Sequence, residues 1–335
     1  MSRSSSLAER IAVQIGVLAS ETSWYYRDLE RAALDAGHQC ERLDFTRLVS
    51  RCQTTSQCIS GLRSTGTVTP ISQATSSGEG FRTPLRKHGP STPVNVVPDR
   101  VFDVLIVRTM PPGSLEQVVF RMDLLSRLER AGTQVVNSPK SLECAVDKFL
   151  TTAKLQEAGL PVPDTVVCEH EDDAMAAFDQ LGGDVVVKPL FGSEGRGIVR
   201  VSDPDLAHRT FRTLMRLDSV LYLQKFIDHA GFDVRVLVLN NSVIGGMKRY
   251  SAKDFRTNVS REGIAQVHSP TSQEADYAVR AAACTGTFIA GIDLLYDRSG
   301  QCHVIEVNAV PGWQAFRRVT GIDVAAKLLT VLAQR

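Results

Sequence analysis

No apolar stretch in this 335-residue chain approaches the ~20 residues that span a bilayer, so no membrane-spanning helix is expected. Neither charge sign dominates. Lys and Arg total 38, Asp and Glu 37, and the net charge is +1, which removes the basic field that a nucleic-acid binder needs. The seven cysteines are odd in number and scattered, with no C-x-x-C and no Cys/His spacing. That excludes both a disulfide framework and a zinc site, and it fits the reduced thiols of a cytoplasmic protein. The seven histidines are equally dispersed and propose no metal centre. The run Ile11–Ala19 contains Gln14 and follows Glu9, so it is expected to be a first strand and not a secretory signal. The 43% hydrophobic content is ample for burial, and the length calls for two or three lobes.

The chain opens with a β-α-β pattern: strand Ile11–Leu18, helix Glu21–Ala36 stopped by Gly37, and strand His38–Phe45. Such an opening predicts a small doubly wound α/β domain. From about residue 50 to 98 the chain turns rich in Ser, Thr, Gly and Pro, which reads as a mobile surface insertion. Strand Val101–Val107 ends at Arg108. A helix capped by Ser114 and Gln117 then runs to about Arg130, and Ser138 caps another at Pro139. A boundary falls near residue 145. Helix Asp147–Ala158 leads into strands Thr165–Cys168 and Asp184–Lys188 around helix Asp172–Leu181.

Chemistry begins at Lys188. It is followed by Pro-Leu-Phe-Gly-Ser-Glu-Gly-Arg-Gly, in which Gly192, Gly195 and Gly197 space as G-x-x-G-x-G. The loop joins strand to strand, unlike a dinucleotide fingerprint, and lacks the Gly-Lys-Ser/Thr of a Walker loop. It is a hairpin whose small residues let backbone N–H groups approach phosphate oxygens. A lysine leaving a buried strand there needs an anionic partner. Further on, strand Leu221–Ile227 ends in Gln-Lys-Phe-Ile, and Phe232–Asn240 with Ser242–Met247 forms a hairpin. Arg235, Lys248, Arg249 and Arg256 follow within a short span, a pattern that a solvated basic face would also give.

Residues 289–312 are the centre of the chain. Two apolar runs, Ile289–Tyr296 and Cys302–Val307, flank the turn signal Asp-Arg-Ser-Gly. Acids inside such runs need a reason. Glu306 and Asn308 share a face. With a turn centred on Arg298–Ser299, Asp293 lies opposite Val304 on that same face; an odd-length loop would move it to the other. Two carboxylates and a carboxamide form a hard-oxygen set suited to Mg²⁺, the alternative being strand-end acids facing water. A helix over Ser272–Thr287 precedes the hairpin and an amphipathic helix, Ile322–Ala333, ends the chain.

The order of these motifs resembles the ATP-grasp superfamily over residues 100–335. Asp254-Phe-Arg-Thr-Asn258, Ala290-Gly-Ile-Asp-Leu-Leu295 and Ile305-Glu-Val-Asn-Ala-Val-Pro-Gly312 look like the RimK-type α-L-glutamate ligase branch. Met110-Pro-Pro-Gly-Ser-Leu-Glu116 and the glycine hairpin look most like its tetrahydromethanopterin (pterin cofactor) glutamate ligases. The resemblance implies an N-terminal α/β lobe over 1–145, a central lobe over 146–224 and an α+β C-terminal lobe over 225–335, with ATP between the last two. It implies that Lys148, Lys188, Gly192, Ser193, Gly195 and Gly197 cradle phosphates. Gln224, Lys225, Phe226 and Ile227 would meet adenine, Asp233 the ribose, and Arg256 and Asn258 the terminal phosphates. Asp293, Glu306 and Asn308 would hold two Mg²⁺, with Mn²⁺ able to substitute. Arg235, Arg249 and Arg256 would be catalytic.

The implied reaction phosphorylates an acceptor carboxylate to an acyl phosphate, which the amine of an amino acid, glutamate for preference, then attacks. The expected partners are a small-molecule acceptor and the amino acid, without nucleic acid or membrane; a homo-oligomer is compatible. A protein C-terminus as acceptor and a non-catalytic ATP-binding scaffold are the alternatives. Two positions depart from the branch: Lys225, where many relatives carry an acid, and Glu262, where glycine is usual. Trp24, Tyr25 and Tyr26, opening the first helix, and Arg108, ending a neighbouring strand, are the candidates for acceptor contact, with core packing the alternative for the rings.

Overall fold

In the computed structural model, which describes residues 12–50, 102–192, 197–250 and 264–334, three sheets follow one another along the chain. The first comprises β1 (Gln14–Leu18), α1 (Trp24–Asp35), β2 (Gln39–Leu43), β3 (Val104–Val107), α2 (Leu115–Arg130) and β4 (Gln134–Val136). Its strands pair in parallel in the order β2-β1-β3-β4, as the β-α-β opening predicts. The first helix starts three residues later than its expected Glu21, because the Ser23 hydroxyl accepts from the Tyr26 N–H and fixes the N-cap there. Ser114 and Gln117 form the reciprocal capping box of α2. The expected insertion falls almost wholly outside the described residues.

Two helices, α3 (Pro139–Val146) and α4 (Lys148–Glu157), connect to the second sheet. This is built from β5 (Thr165–Cys168), α5 (Glu171–Gln180), β6 (Val185–Lys188), β7 (Val199–Val201), α6 (Pro204–Met215) and β8 (Leu221–Lys225), with strand order β5-β8-β6-β7. The pattern reading missed α6. Only Ala207 and Phe211 of its residues are buried, too narrow a stripe to show as periodicity; its signal was the cap, Asp203 followed by Pro204.

The third sheet is antiparallel, with order β11-β10-β9-β12-β13. It uses β9 (Phe232–Leu239), β10 (Ser242–Tyr250), β11 (Ile264–His268), β12 (Ile289–Tyr296) and β13 (Cys302–Asn308), with α7 (Ser272–Thr285) between β11 and β12. One face carries Val234, Val236, Val238, Ala290, Ile292 and Leu294 into a core with Ala278, Ala281 and Ala282 of α7. The chain ends in α8 (Gln314–Thr320) and α9 (Val324–Leu332). The latter returns to the first sheet, where Leu328 and Leu329 join Val17, Leu29 and Ala33 in one core. β11, mostly exposed, and the short α8 were not legible as elements.

The expected pairing of Asp293 with Val304 is overturned. The connection is a five-residue loop, Asp297 to Gln301, whose Asp297 Oδ1 accepts from the N–H groups of Ser299 and Gln301 at 2.9 Å each. An odd loop alone would put Asp293 on the far face. A register shift between Asp293 and Leu294 restores it: Leu294 pairs with Val304, but Asp293 pairs with Glu306, and Ile305 is left over as a bulge.

Candidate active site

The second face of the antiparallel sheet is charged where the first is apolar. Asp233 and Arg235 lie two apart on β9 and project together. Arg249 of β10 sits opposite Asp233, and Asp293 of β12 sits opposite Arg235. The side chains close the pattern. Arg235 donates from Nε and Nη2 to the two Asp293 oxygens, both at 2.7 Å. Arg249 grips Asp233 through Nε at 2.7 Å and through Nη2, and reaches Asp293 at 2.9 Å. Burial pushes the Asp293 carboxyl up, yet Arg235 and Arg249 outweigh it and hold the group below the usual carboxylate range. Burial works against Arg249 too, but Asp293 and Asp233 raise its pKa overall. The four alternating charges hold one another in place, so the two guanidinium groups are fixed by their own ion pairs.

Against it stands a second group of cations from other elements. Lys148, the first residue of α4, donates to the Gly192 carbonyl at 2.9 Å. Lys188, the last residue of β6, donates to Gln224 Oε1 at 2.6 Å. The Gln224 amide donates in turn to Thr165 Oγ1 and Tyr222 Oη, at 3.0 and 3.2 Å. Burial lowers the Lys188 pKa to about 8, an effect that Glu306 opposes and Lys148 reinforces. Burial lowers Lys148 as well, again opposed by Glu306. Glu306 of β13 is thus the charge that both lysines share. Helix α4, the end of β6 and the bulged hairpin converge on one spot.

The remaining candidates fall around this frame. Asn308 Nδ2 approaches the Gly291 carbonyl at 3.4 Å and Asp293 Oδ2 at 3.5 Å, which places Asp293, Glu306 and Asn308 on one edge. Gly197 adopts φ of +72°, and a Cβ there would lie 2.8 Å from Pro189 Cγ, so this turn of the hairpin requires glycine. The N–H groups of Lys225 and Phe226 are engaged by the carbonyls of Asp164 and Asp184, at 2.8 and 3.0 Å. Asp233 is a buried counter-ion of Arg249. The basic side chain of Lys225 lies 4.0 Å from Asp164, both exposed. Ser193, Gly195, Arg256, Asn258 and the departure at Glu262 lie outside the described residues.

The RimK-like ATP-grasp domain description matches residues 145–332. The chain belongs to the RimK-like ATP-grasp family. It is therefore an ATP-grasp ligase, as its motif order suggested. The tetrahydromethanopterin:α-L-glutamate ligase of Methanosarcina acetivorans is 32% identical over 259 residues, 69% of this chain and 80% of that one. A ribosomal protein bS6–L-glutamate ligase of Escherichia coli is 33% identical over 208 residues, 61% of this chain and 69% of the relative. In fold, the chain is similar to the ATP-grasp ligase PsnB, solved with a minimal precursor, Mg and ADP. That likeness has a TM-score of 0.65 at 20% identity and covers 96% of each chain. Among the described residues, no helix is long and apolar enough to cross a membrane.

Sequence reasoning missed two residues that shape this ATP-grasp site. Asn137, fully buried at the end of β4, satisfies both ends of its amide on the third sheet. Its Nδ2 donates to the carbonyls of Ile289 and Ala309, at 2.7 and 2.5 Å. Its Oδ1 accepts from the N–H groups of Phe288 and Ile289, at 2.6 and 3.0 Å. Asp28 accepts from Trp313 Nε1 at 2.9 Å and pairs with Arg31 and Arg317. Both are long-range polar ties, and no local pattern marks them.

Proposed function

We propose that this protein is an ATP- and Mg²⁺-dependent carboxylate–amine ligase that joins glutamate to the carboxylate of a small pterin-type acceptor. The observation that carries the reading is the convergence of Lys148, Lys188 and Glu306 beside the Arg235–Asp293–Arg249 cluster. ATP lies between the lobes 146–224 and 225–335, with its phosphates at Lys148, Lys188 and the glycine hairpin. Three oxygen-bearing side chains on one hairpin edge suit a hard cation, so Glu306 and Asn308, together with Asp293, would hold Mg²⁺, which neutralises phosphate charge when bound. Asp293 does so while also bonded to two guanidinium groups, which makes Glu306 the less encumbered ligand.

An acceptor carboxylate oxygen attacks the γ-phosphorus, the bond to the β-phosphate bridging oxygen breaks, and ADP leaves. Arg235 and Arg249 lie beside the acyl phosphate so formed. The amine of glutamate adds to its carbonyl carbon, phosphate departs, and the ammonium proton is lost to solvent. This chemistry asks the protein for positioning and charge neutralisation, and not for a nucleophile, in keeping with a site built of fixed cations.

An open cleft lined by Trp24, Gln314, Ala315, Arg317 and Arg318 is where a planar acceptor could stack, on the Trp24 ring. The test is incubation with ATP, Mg²⁺, glutamate and a metabolite extract, followed by mass spectrometry. A glutamyl increment on a pterin with release of ADP is expected; an increment on a protein tail, with pterins untouched, reverses the choice of acceptor.

A further inference from the structure

Arg108 is a buried cation that the reaction site does not use. Arg108 follows β3 at the carboxyl edge of the parallel sheet, beside β1, where the strand order reverses and ligands meet doubly wound sheets. It is 7% exposed. Its guanidinium lies between two rings, 4.6 Å from the centroid of Tyr25 and 4.1 Å from that of Trp313. Nη2 donates to the Pro311 carbonyl at 2.8 Å, whereas Nε is buried without a partner. Among the described residues no carboxylate pairs with it; the nearby Asp28 is engaged by Trp313, Arg31 and Arg317. Burial lowers its pKa to about 10, which still leaves it charged at neutral pH. A buried guanidinium without a counter-ion is costly and calls for an anion from outside.

The place of Arg108 relative to the chemistry narrows that anion. Pro311, whose carbonyl it holds, packs on Gly291: a Cβ built at Gly291 would lie 3.2 Å from Pro311 Cβ and 3.5 Å from Arg235 Nε. Arg235 in turn holds Asp293. Arg108 is thus linked to the reacting face through Pro311 and Gly291. Tyr25, which flanks its guanidinium, is half-buried and met edge-on by Trp24 at 5.4 Å. The planar fork suits a carboxylate.

We propose that Arg108 seats a carboxylate of the acceptor other than the one being activated, so that the acceptor is at least a dicarboxylate. The assignment rests on the ligase reading above and adds to it a residue that selects the substrate. Arg235 and Arg249 meet the carboxylate that reacts, and Arg108 holds the one that does not.

The test uses two probes that differ only at the second group, N-acetyl-L-glutamate and N-acetyl-L-glutamine. Their binding to the full chain is read by the fluorescence of Trp24 and Trp313, its two tryptophans. The expected result is at least tenfold tighter binding of the dicarboxylate by the native chain. Arg108→Gln should bind both probes alike, and Arg108→Lys should keep part of the preference. Binding of an ATP analogue within twofold of native in each variant certifies the fold, and Arg108→Lys carries the test should the glutamine variant fail that control. A native chain that does not discriminate, including one that binds neither probe, overturns the anchor. So does a preference that survives in Arg108→Gln. Discrimination lost with Arg108, but no Mg²⁺-dependent ADP release with glutamate and any acceptor, would uphold the anchor and sink the ligase reading instead.

Discussion

Asp293 faces Glu306 across the β12–β13 hairpin because Ile305 is bulged out of the ladder. Val304 and Val307, three apart, both point into the apolar core, which a regular strand of period two cannot do. The bulge therefore serves both faces, keeping valines inside and acids together outside. Such irregularities cluster where a sheet must re-aim a side chain.

The two acids should nevertheless respond differently to loss of charge. Glu306 is half-buried and faces two lysines that also have other partners. Glu306→Gln should abolish most turnover, by orders of magnitude, with little change in stability. Asp293 is 4% exposed and holds two guanidinium groups. Asp293→Asn should lose turnover and about 3–5 kcal/mol of stability, the usual cost of breaking a buried ion pair on one side. ADP release and urea unfolding measure the two effects. Equal stability of the two variants would show that Asp293 is not the counter-ion its contacts make it.

Lys188 sets a pH limit on nucleotide use. Its pKa falls from 10.5 to about 8 through burial, so the free enzyme loses this charge as pH rises through 8. If the ammonium binds phosphate, kcat/KM for ATP should decline about tenfold per pH unit above that point, since this ratio reports groups of the free enzyme. Lys188→Arg should carry the plateau past pH 9, because a guanidinium does not titrate there. Stability runs the opposite way. Between pH 8 and 10.5 the unfolded chain binds more protons at this group than the folded one, so its contribution to stability rises with pH. A profile for Lys188→Arg identical to that of the native chain would remove Lys188 from phosphate binding.

What could be read in the sequence was local. Ser114 with Gln117, Ser138 before Pro139, and the two apolar runs around Asp-Arg-Ser-Gly each carry their signal within a few residues, and each became the expected element. The order of Lys148, Lys188 and the 289–312 hairpin pointed to the family. The parity of the hairpin did not follow, because loop length and bulge each flip the face and only their product matters. The partners of Asp233 also lay beyond reach: Arg249 meets it through strand pairing, and a sequence shows the charges without the register.

Asn137 illustrates a long-range tie that has measurable weight. Four hydrogen bonds join this fully buried amide to the start of β12 and the residue after β13. Truncation strands two carbonyls and two N–H groups in the interior, at about 1–3 kcal/mol for each group left without water. Asn137→Ala should therefore cost at least about 3 kcal/mol, and it should lower turnover because both ends of the β12–β13 hairpin lose their anchor. Asn137→Asp keeps the acceptor but sets a carboxylate oxygen against the Ile289 and Ala309 carbonyls in a fully buried site, and should be destabilised at least as much as the alanine variant. Urea midpoints of the three proteins give the comparison. An alanine variant within about 0.5 kcal/mol of native, the scatter of neutral surface changes, would mean that water replaces the amide.

Residues 309–313 join the β12–β13 hairpin to α8. A Cβ built on Gly312 would lie 2.7 Å from Tyr25 Oη and 3.6 Å from its Cζ. The first distance is too short for any real contact, and the second is ordinary packing. Gly312→Ala must therefore displace the Tyr25 ring, which sits edge-on to Trp313 at 5.1 Å and against the Arg108 guanidinium. Overpacking of this kind costs about 1–3 kcal/mol. Tyr25→Phe removes the offending oxygen alone and keeps the ring on Arg108. Since that hydroxyl has no hydrogen-bond partner among the described residues, the single change should be close to neutral. The two substitutions should be strongly non-additive, with Tyr25→Phe recovering most of what Gly312→Ala loses. Urea unfolding of the four proteins closes the cycle. A double variant as unstable as Gly312→Ala alone would show that the clash lies elsewhere, in the path of the 309–313 backbone and not in the tyrosine hydroxyl.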